Sequence, residues 1–313
     1  MNMIIPFMTE AIRYGMTFLL GSTGETLTEK SGHLNLGIPG IMSVGAACGC
    51  TAIYLCGHRM VPFVTVLLAI LAAFVGAALV GLIYCFLTVS LRANQNVTGL
   101  VLTTFGVGVT NYMISKVGSF AFAAKYFTKL FPFADKLGWF GELFLSYGIL
   151  IYLAIAIAIV ASFVLTRTRV GLHLRAVGEN PATADAAGIN VSLYRYVATC
   201  IGSGIAGLGG LCYIMDNLHG CWEYAIEAIG WLAIALVIFT VWKPNIGIIG
   251  SIVFGALYNV SSYIPGLSFS QKDIFKMLPY VVTILVLIVT SIRKKRENQP
   301  PASLGLSYFR EER

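Results

Sequence analysis

Apolar residues fall along this chain in nine runs, approximately 4 to 22, 35 to 56, 61 to 90, 97 to 117, 143 to 165, 194 to 215, 226 to 242, 246 to 264 and 274 to 292. Short polar or glycine-rich connections separate them. A bilayer core takes roughly 20 apolar residues per helix, so the pattern predicts an all-α polytopic membrane protein with about nine transmembrane helices, in a range of eight to ten. The run 61–90 is too long for an untilted span and is expected to continue as helix beyond the hydrocarbon. Small residues recur every fourth position in two runs, as Ala69, Ala73, Ala77 and Gly81 and as Gly202, Ala206 and Gly210. Small residues on one face let helix backbones approach closely in lipid, so both stripes are expected to be helix contacts.

The stretch NLGIPGIMSVGA at 35–46 nearly returns as NIGIIGSIVFGA at 245–256, with Asn35, Gly37, Ile38, Gly40, Gly45 and Ala46 matching Asn245, Gly247, Ile248, Gly250, Gly255 and Ala256. Upstream, EAI at 10–12 matches EAI at 227–229. The pattern predicts two parallel-repeat halves, with repeat-like segments near 10–46 and 227–256, related by an axis along the membrane normal. Repeated glycine, with Pro39 in the first copy, weakens helical hydrogen bonding, and irregular backbone is tolerated at membrane depth where it is buried in protein or lines a cavity. Both copies are therefore expected inside the bundle. That makes Asn35, Gly37, Pro39, Gly40 and Ser43, with Asn245, Gly247, Gly250 and Asn259, candidates to line a pathway. Asn96, Thr103 and Asn111 are further polar candidates, although the amides of RANQNVTG could equally satisfy the end of a helix.

Composition agrees with a membrane protein. Charged residues make up 11% of the 313, against roughly 25% in an ordinary soluble domain. No long polar block interrupts residues 1–292, which read as one transmembrane domain followed by a basic tail at 293–313. The net charge of +7 is better explained by topology than by nucleic acid, because the cations lie in short loops and in the tail. Placing the C-terminus in the cytoplasm puts Lys30, Arg92, the basic residues near 167–175, Lys243 and the tail on the inner side, and leaves fewer cations outside. With nine spans the N-terminus is then outside. The expected location is the plasma membrane, with lipid as the surrounding partner and no nucleic acid.

Several chemistries find no support. The first run carries Glu10 and Arg13 and lacks a basic leader, so it reads as a retained span in which the two charges pair. Seven cysteines, mostly within apolar runs, imply neither disulfides nor a metal site. No lysine follows a glycine, so a phosphate-cradling loop is lacking and ATP must be bound on another chain. His33, His58, His173 and His219 are scattered near span ends and make no catalytic set. Asp216, Glu223, Glu227 and Asp273 fall in outer loops or at span ends, which leaves a nearly uncharged midplane and argues against an ion-driven carrier. The segment 119–144 interleaves aromatics with lysine and is expected to form an amphipathic helix at the interface, anchored in lipid or docking a partner.

The most informative connection is the loop 166–192, TRTRVGLHLRAVGENPATADAAGINVS. Asn180 as N-cap, Pro181 in the first turn and Gly188 as a stop predict a short helix lying under the membrane. Its alanine-rich face lacks the large apolar residues of an interfacial anchor, so a docking knob for a cytoplasmic partner fits better. The loop, followed by SGIAGLGG, resembles the coupling loop of permease subunits in ABC importers for branched-chain amino acids, simple sugars and nucleosides. TEKSGHLNLGIPGIM is similar to that family's N-terminal signature, with Pro39 where glutamate is commoner, and PASLGLSYFREER resembles the end of the nucleoside branch.

The resemblance implies a permease subunit that moves nucleosides, or alternatively simple sugars, and is not itself an enzyme. Its implied partners are ABC ATPase subunits, a second permease subunit of a different chain and an extracytoplasmic substrate-binding protein. ATP and Mg would be held by the ATPase, and no cofactor by this chain. Glu179, Asn180, Pro181, Ala182, Asp185, Ala187 and Gly188 would form the coupling helix. Arg175 either pairs with an acidic group of the ATPase or obeys the positive-inside rule. A self-sufficient secondary carrier with parallel repeats is the alternative from another class.

Overall fold

The computed structural model describes residues 3–56, 60–117, 127, 129–222, 226–293 and 299–309. Its helices are α1 (Ile4–Lys30), α2 (Ile38–Cys56), α3 (Pro62–Cys85), α4 (Gln95–Val117), α5 (Gly138–Phe144), α6 (Ile149–Arg167) and α7 (Arg169–Glu179). They continue as α8 (Pro181–Ala186), α9 (Val191–Cys212), α10 (Ile226–Phe239), α11 (Pro244–Asn259), α12 (Phe269–Lys276) and α13 (Leu278–Arg293). A π-helical turn, Phe86–Ser90, extends α3, and another, Tyr213–Asn217, extends α9.

Among the described residues, seven helices are long and apolar enough to cross a membrane. Two of the nine expected runs fall outside that set for physical reasons. Helix α10 has 14 residues, because the chain turns at Thr240 instead of continuing to 242. Helix α1 is long, but Glu10, Arg13, Glu25 and Glu29 lie along it. It also runs to Lys30, past the expected end at 22, because Ser22–Glu29 are largely buried by neighbouring helices. Glu25 (0% exposed) and Glu29 (3%) are thus inside protein, and Asp216 is buried as well. These acids lie toward the ends of their helices, Glu25 and Glu29 in the last turns of α1 and Asp216 in the turn that closes α9, so they leave the expected nearly uncharged midplane standing as an expectation.

The fifth expected run starts six residues late, at Ile149. The single amphipathic helix expected at 119–144 is also corrected. Pro132–Leu137 is a short 3-10 helix, and Gly138 takes a φ of +58° that separates it from α5. Residues 118–126 and 128 lie outside the described residues, as does the basic stretch 294–298.

Helices α2 and α9 are the most enclosed, with α1, α3, α4 and α10 around them. Small residues make this possible. A methyl on Gly40 would lie 2.6 Å from the Leu102 carbonyl oxygen, and one on Gly106 would lie 2.6 Å from the Gly40 carbonyl oxygen, so α2 and α4 touch backbone to backbone. Ala69, Ala73 and Ala77 are fully buried and Gly81 faces Ser203, so both predicted stripes are contacts. Helix α13 instead exposes Val281, Ile284, Leu285, Ile288 and Ile292. Such an apolar outer face suits lipid as solvent.

The two glycine-rich copies are packed crosswise: α1, which precedes the first, runs along α11, and α10, which precedes the second, lies against α2. Their environments differ. Ile38–Ala47 is entirely buried, as expected of an interior segment. Both copies are regular helix from Ile38 and Pro244 onward despite their glycines, and the interior position expected of the second is corrected, since it has one exposed face carrying Asn245, Ile246, Ile249 and Val253.

Candidate functional site

The end of the bundle that carries the C-terminal tail gathers the connections 31–37, 91–94, 168–190 and 240–243. In the first of these, Ser31–Gly37, the backbone is irregular and buried, so each of its polar groups needs a partner. Other elements supply them. Glu25 Oε1 accepts from the Asn35 N–H at 3.0 Å, and Gln95 Oε1 accepts from the Leu34 N–H at 2.8 Å. The Tyr84 hydroxyl donates to the Leu34 carbonyl, and the Thr103 hydroxyl donates to the Leu36 carbonyl at 3.0 Å. Asn35 Oδ1 accepts from the Gly37 N–H at 2.9 Å, which turns the chain into α2.

His33 lies in this linker, fully buried, between Thr88 and Thr199. The Thr88 hydroxyl donates to the Tyr84 carbonyl at 2.6 Å, so its oxygen accepts from His33 Nε2–H at 2.7 Å. Nδ1 then accepts from the Thr199 hydroxyl at 2.8 Å. Burial, with the Arg195 guanidinium nearby, pushes the imidazole pKa down to about 3. This is a neutral, structural histidine.

Of the candidate pathway residues, Asn35, Gly37, Gly40 and Thr103 come together where α2 starts against α4, while Pro39 packs on Gly230 of α10 and the Ser43 hydroxyl donates to the Pro39 carbonyl at 2.9 Å. Gly247, Gly250 and Asn259 are buried along α11, Gly250 against Phe239 and Thr240. Asn96, Asn111 and Asn245 are exposed. Asn94 caps α4 by accepting from the Val97 N–H at 3.1 Å, so one amide of RANQNVTG does satisfy a helix end. The predicted Glu10–Arg13 pair forms at 3.3 Å.

Sequence reasoning passed over Glu25, Tyr84, Arg195 and Trp242, and met Glu29 only as part of the stretch TEKSGHLNLGIPGIM. Each is buried and takes part in hydrogen bonds or electrostatic contacts at this end of the bundle. For Glu25, Tyr84, Arg195 and Trp242 the local context gives no signal, since partners of each lie far away in the chain or in its connections.

The loop 168–190 is built by three successive caps. Thr168 accepts from the Gly171 N–H at 3.1 Å and starts α7. Asn180, at φ −149°, ends α7 and accepts from the Thr183 N–H at 3.0 Å, while Pro181 opens α8 where no N–H is required. Gly188, at φ +83°, stops α8, and Asn190 accepts from the Leu193 N–H at 3.0 Å to start α9. The short helix is thus present with its expected caps. Glu179, Asn180, Ala182, Ala187, Gly188 and Arg175 are exposed, while Pro181 and Asp185 are half-buried. The result is a six-residue knob on the outside of the bundle end. Underneath it, Val177, Ala184 and Val191 form a small apolar core with Tyr308 and Tyr194 packed against it.

An apolar-coated helical bundle with a buried irregular linker and an exposed capped knob at one end defines a multi-span membrane protein. Residues 7–287 match the family described as the permease component of branched-chain amino acid transport systems, and the chain belongs to that family. The guanosine ABC transporter permease protein NupQ of Bacillus subtilis is 32% identical over 92% of this chain and 91% of its own length. The nucleoside ABC transporter permease protein NupC of Lactococcus lactis is 32% identical over 88% of each chain. TsgC13 of Haloferax volcanii, provisionally named a glucose ABC transporter permease, is 30% identical over 99% of each. The chain is a transport subunit of the plasma membrane, and a permease component rather than a catalyst.

Proposed function

We propose that this chain is the membrane-spanning permease of an ATP-driven importer that moves nucleosides handed over by an extracytoplasmic binding protein. The tail-side end faces the cytoplasm, where positive charge accumulates, and the N-terminus lies outside. ATP and Mg are held by separate ATPase subunits, a second permease of a different chain completes the pathway, and this chain holds no cofactor. The observation that carries the reading is the capped knob α8, whose small exposed residues fit a groove on a partner better than a membrane surface. Closure of the ATPases would push on Glu179, Asn180, Ala182, Ala187 and Gly188, and that displacement would pass into α9 through the buried seat of Val177, Ala184 and Val191. Arg175 stands on the same face, exposed to an acidic group of the partner.

Two named relatives of the nucleoside branch, each aligned over most of its length, support the substrate class. The glucose-named relative keeps simple sugars as the second reading. The buried half of the pathway set, Asn35, Gly37, Pro39, Gly40, Ser43, Thr103, Gly247, Gly250 and Asn259, would shape the inner wall, and the exposed Asn96, Asn111 and Asn245 would face the second permease. The crosswise packing of α1 on α11 and α10 on α2 supports two related halves.

The test is uptake of labelled guanosine and glucose by cells with and without the chain, together with the double variant Glu179→Arg, Ala182→Glu. Guanosine uptake that depends on the chain, and is lost in the double variant while the protein remains in the membrane, is expected. Unchanged uptake in the double variant would remove the coupling role, and chain-dependent glucose uptake alone would move the substrate to sugars. Affinity purification from the native membrane should bring down a Walker-motif ATPase. A chain that purifies alone, intact and without ATPase activity, would favour the secondary carrier.

A further inference from the structure

Hydropathy marks the C-terminal residues as a plain hydrophilic tail, yet residues 301–309 fold back into the bundle end. Ser303 is 6% exposed, its N–H donates to the Gly178 carbonyl of α7 at 3.1 Å, and its hydroxyl donates to the same oxygen at 2.5 Å. The Gly305 N–H donates to the Gly32 carbonyl at 3.3 Å, tying the tail to the linker that leads into α2. The Leu306 carbonyl accepts from Arg195 Nη1 of α9 at 3.2 Å and from Gln95 Nε2 of α4 at 3.4 Å. Finally, the Tyr308 hydroxyl donates to Asp185 Oδ2 of α8 at 2.8 Å, and Phe309 lies 4.7 Å from the Arg92 guanidinium.

Two of these contacts are more than surface adhesion. Arg195 is 2% exposed, and its Nε and Nη2 find no acceptor, so the tail carbonyl is the hydrogen-bond acceptor present for a buried cation. A buried charge stripped of its acceptor is strongly unfavourable, which holds the segment in place. Helix α8, in turn, is far too short to be stable alone. Its seat is Val177 from α7, Val191 from α9 and the ring of Tyr308.

We propose that residues 301–309 are a working part of the coupling apparatus, with Tyr308 as the positioning residue that holds the knob α8 against α9. The proposal rests on the coupling reading above and deepens it. A push on α8 has two routes inward. One is the loop 187–190 into the start of α9. The other runs from Asp185 through Tyr308 and the tail backbone to Leu306, and from there to Arg195, Gln95 and, through Gly305, Gly32. The second route reaches α9, α4 and the entry to α2 together, which are the elements around the candidate pathway. Without Tyr308, α8 still presents its own exposed residues to a partner, but it rocks on its seat instead of moving the bundle.

The experiment uses the full chain assembled with its ATPase partners in proteoliposomes, and compares Tyr308→Ala and Tyr308→Phe with the unaltered chain. It measures substrate transported, ATP hydrolysed per substrate, transport KM and ATPase retained on purification. In Tyr308→Ala the ATP spent per substrate is expected to rise about threefold to tenfold, as for other residues on a coupling route, with KM and ATPase retention unchanged. Tyr308→Phe keeps the ring in its seat and is expected to show a smaller rise of about twofold. A normal ATP-to-substrate ratio in Tyr308→Phe and in any well-behaved Tyr308→Ala preparation would overturn the proposal. If Tyr308→Ala fails to assemble, Tyr308→Phe alone decides. The Glu179→Arg, Ala182→Glu variant separates the two levels: normal uptake there removes the coupling reading itself, whereas loss there with normal coupling in the Tyr308 variants removes the tail alone.

Discussion

Trp242 donates its indole N–H to the Glu29 carboxylate, joining residues 213 positions apart. Trp242 is 7% exposed and Glu29 3%, so water cannot replace the bond if it is lost. Trp242→Phe retains most of the ring's packing and leaves the carboxylate without this donor, at a cost of about 1–3 kcal/mol. The thermal unfolding midpoint of the purified chain in detergent should fall accordingly. An unchanged midpoint would mean that Glu29 is satisfied without the indole.

The indole reaches Glu29 because Val241 and Trp242 both take positive φ, at 54° and 55°, at the end of α10. For a β-branched residue that region is a genuine outlier. Val241→Gly removes the steric penalty, which is about 1–2 kcal/mol, and a rise in the same unfolding midpoint is expected. A fall would show that the Val241 side chain packs well enough to outweigh its backbone.

His33 gives the chain a pH dependence of definite sign. Its native pKa is pushed down to about 3, whereas the unfolded imidazole titrates near about 6.5. Between these values the unfolded state binds the extra proton. The histidine's contribution is therefore complete above about pH 6.5 and is lost progressively as pH falls toward 3. At about pH 5 the loss should be about 2 kcal/mol. Denaturation at about pH 7.5 and about pH 5 should show a smaller acid-induced loss in His33→Gln than in the unaltered chain. Equal losses would mean that other groups carry the acid sensitivity.

Two glycines of one helix pair provide a contrast. A methyl on Gly40 would lie 2.6 Å from Leu102 and Thr103 backbone atoms, whereas one on Gly108 meets nothing within 4 Å. Gly40→Ala should cost about 1–3 kcal/mol by forcing α2 from α4, read as lost monodisperse protein on gel filtration. Gly108→Ala should be neutral in the same assay. Equal behaviour of the two would sink the close-contact account of the α2–α4 interface.

Features under short-range chemical control are legible in the chain alone. Apolar run length marked the helices, spacing of small residues marked the contact faces of α3 and α9, and Asn180, Pro181 and Gly188 marked α8 with its caps. Each signal acts within a few residues of itself. Other features depended on distant partners, and hydropathy reports only the cost of a residue's own transfer. Glu25 and Glu29 read as polar and so as loop, yet α1 continues through them because Asn35 and Trp242 meet them inside the bundle. The two glycine-rich copies carry nearly the same local pattern, and only their neighbours decide that α2 is enclosed while α11 shows Ile249 to the outside at 71% exposure. The tail reads as a hydrophilic end, and the buried Arg195 brings it back, since a cation in that position must find an acceptor wherever the chain can supply one.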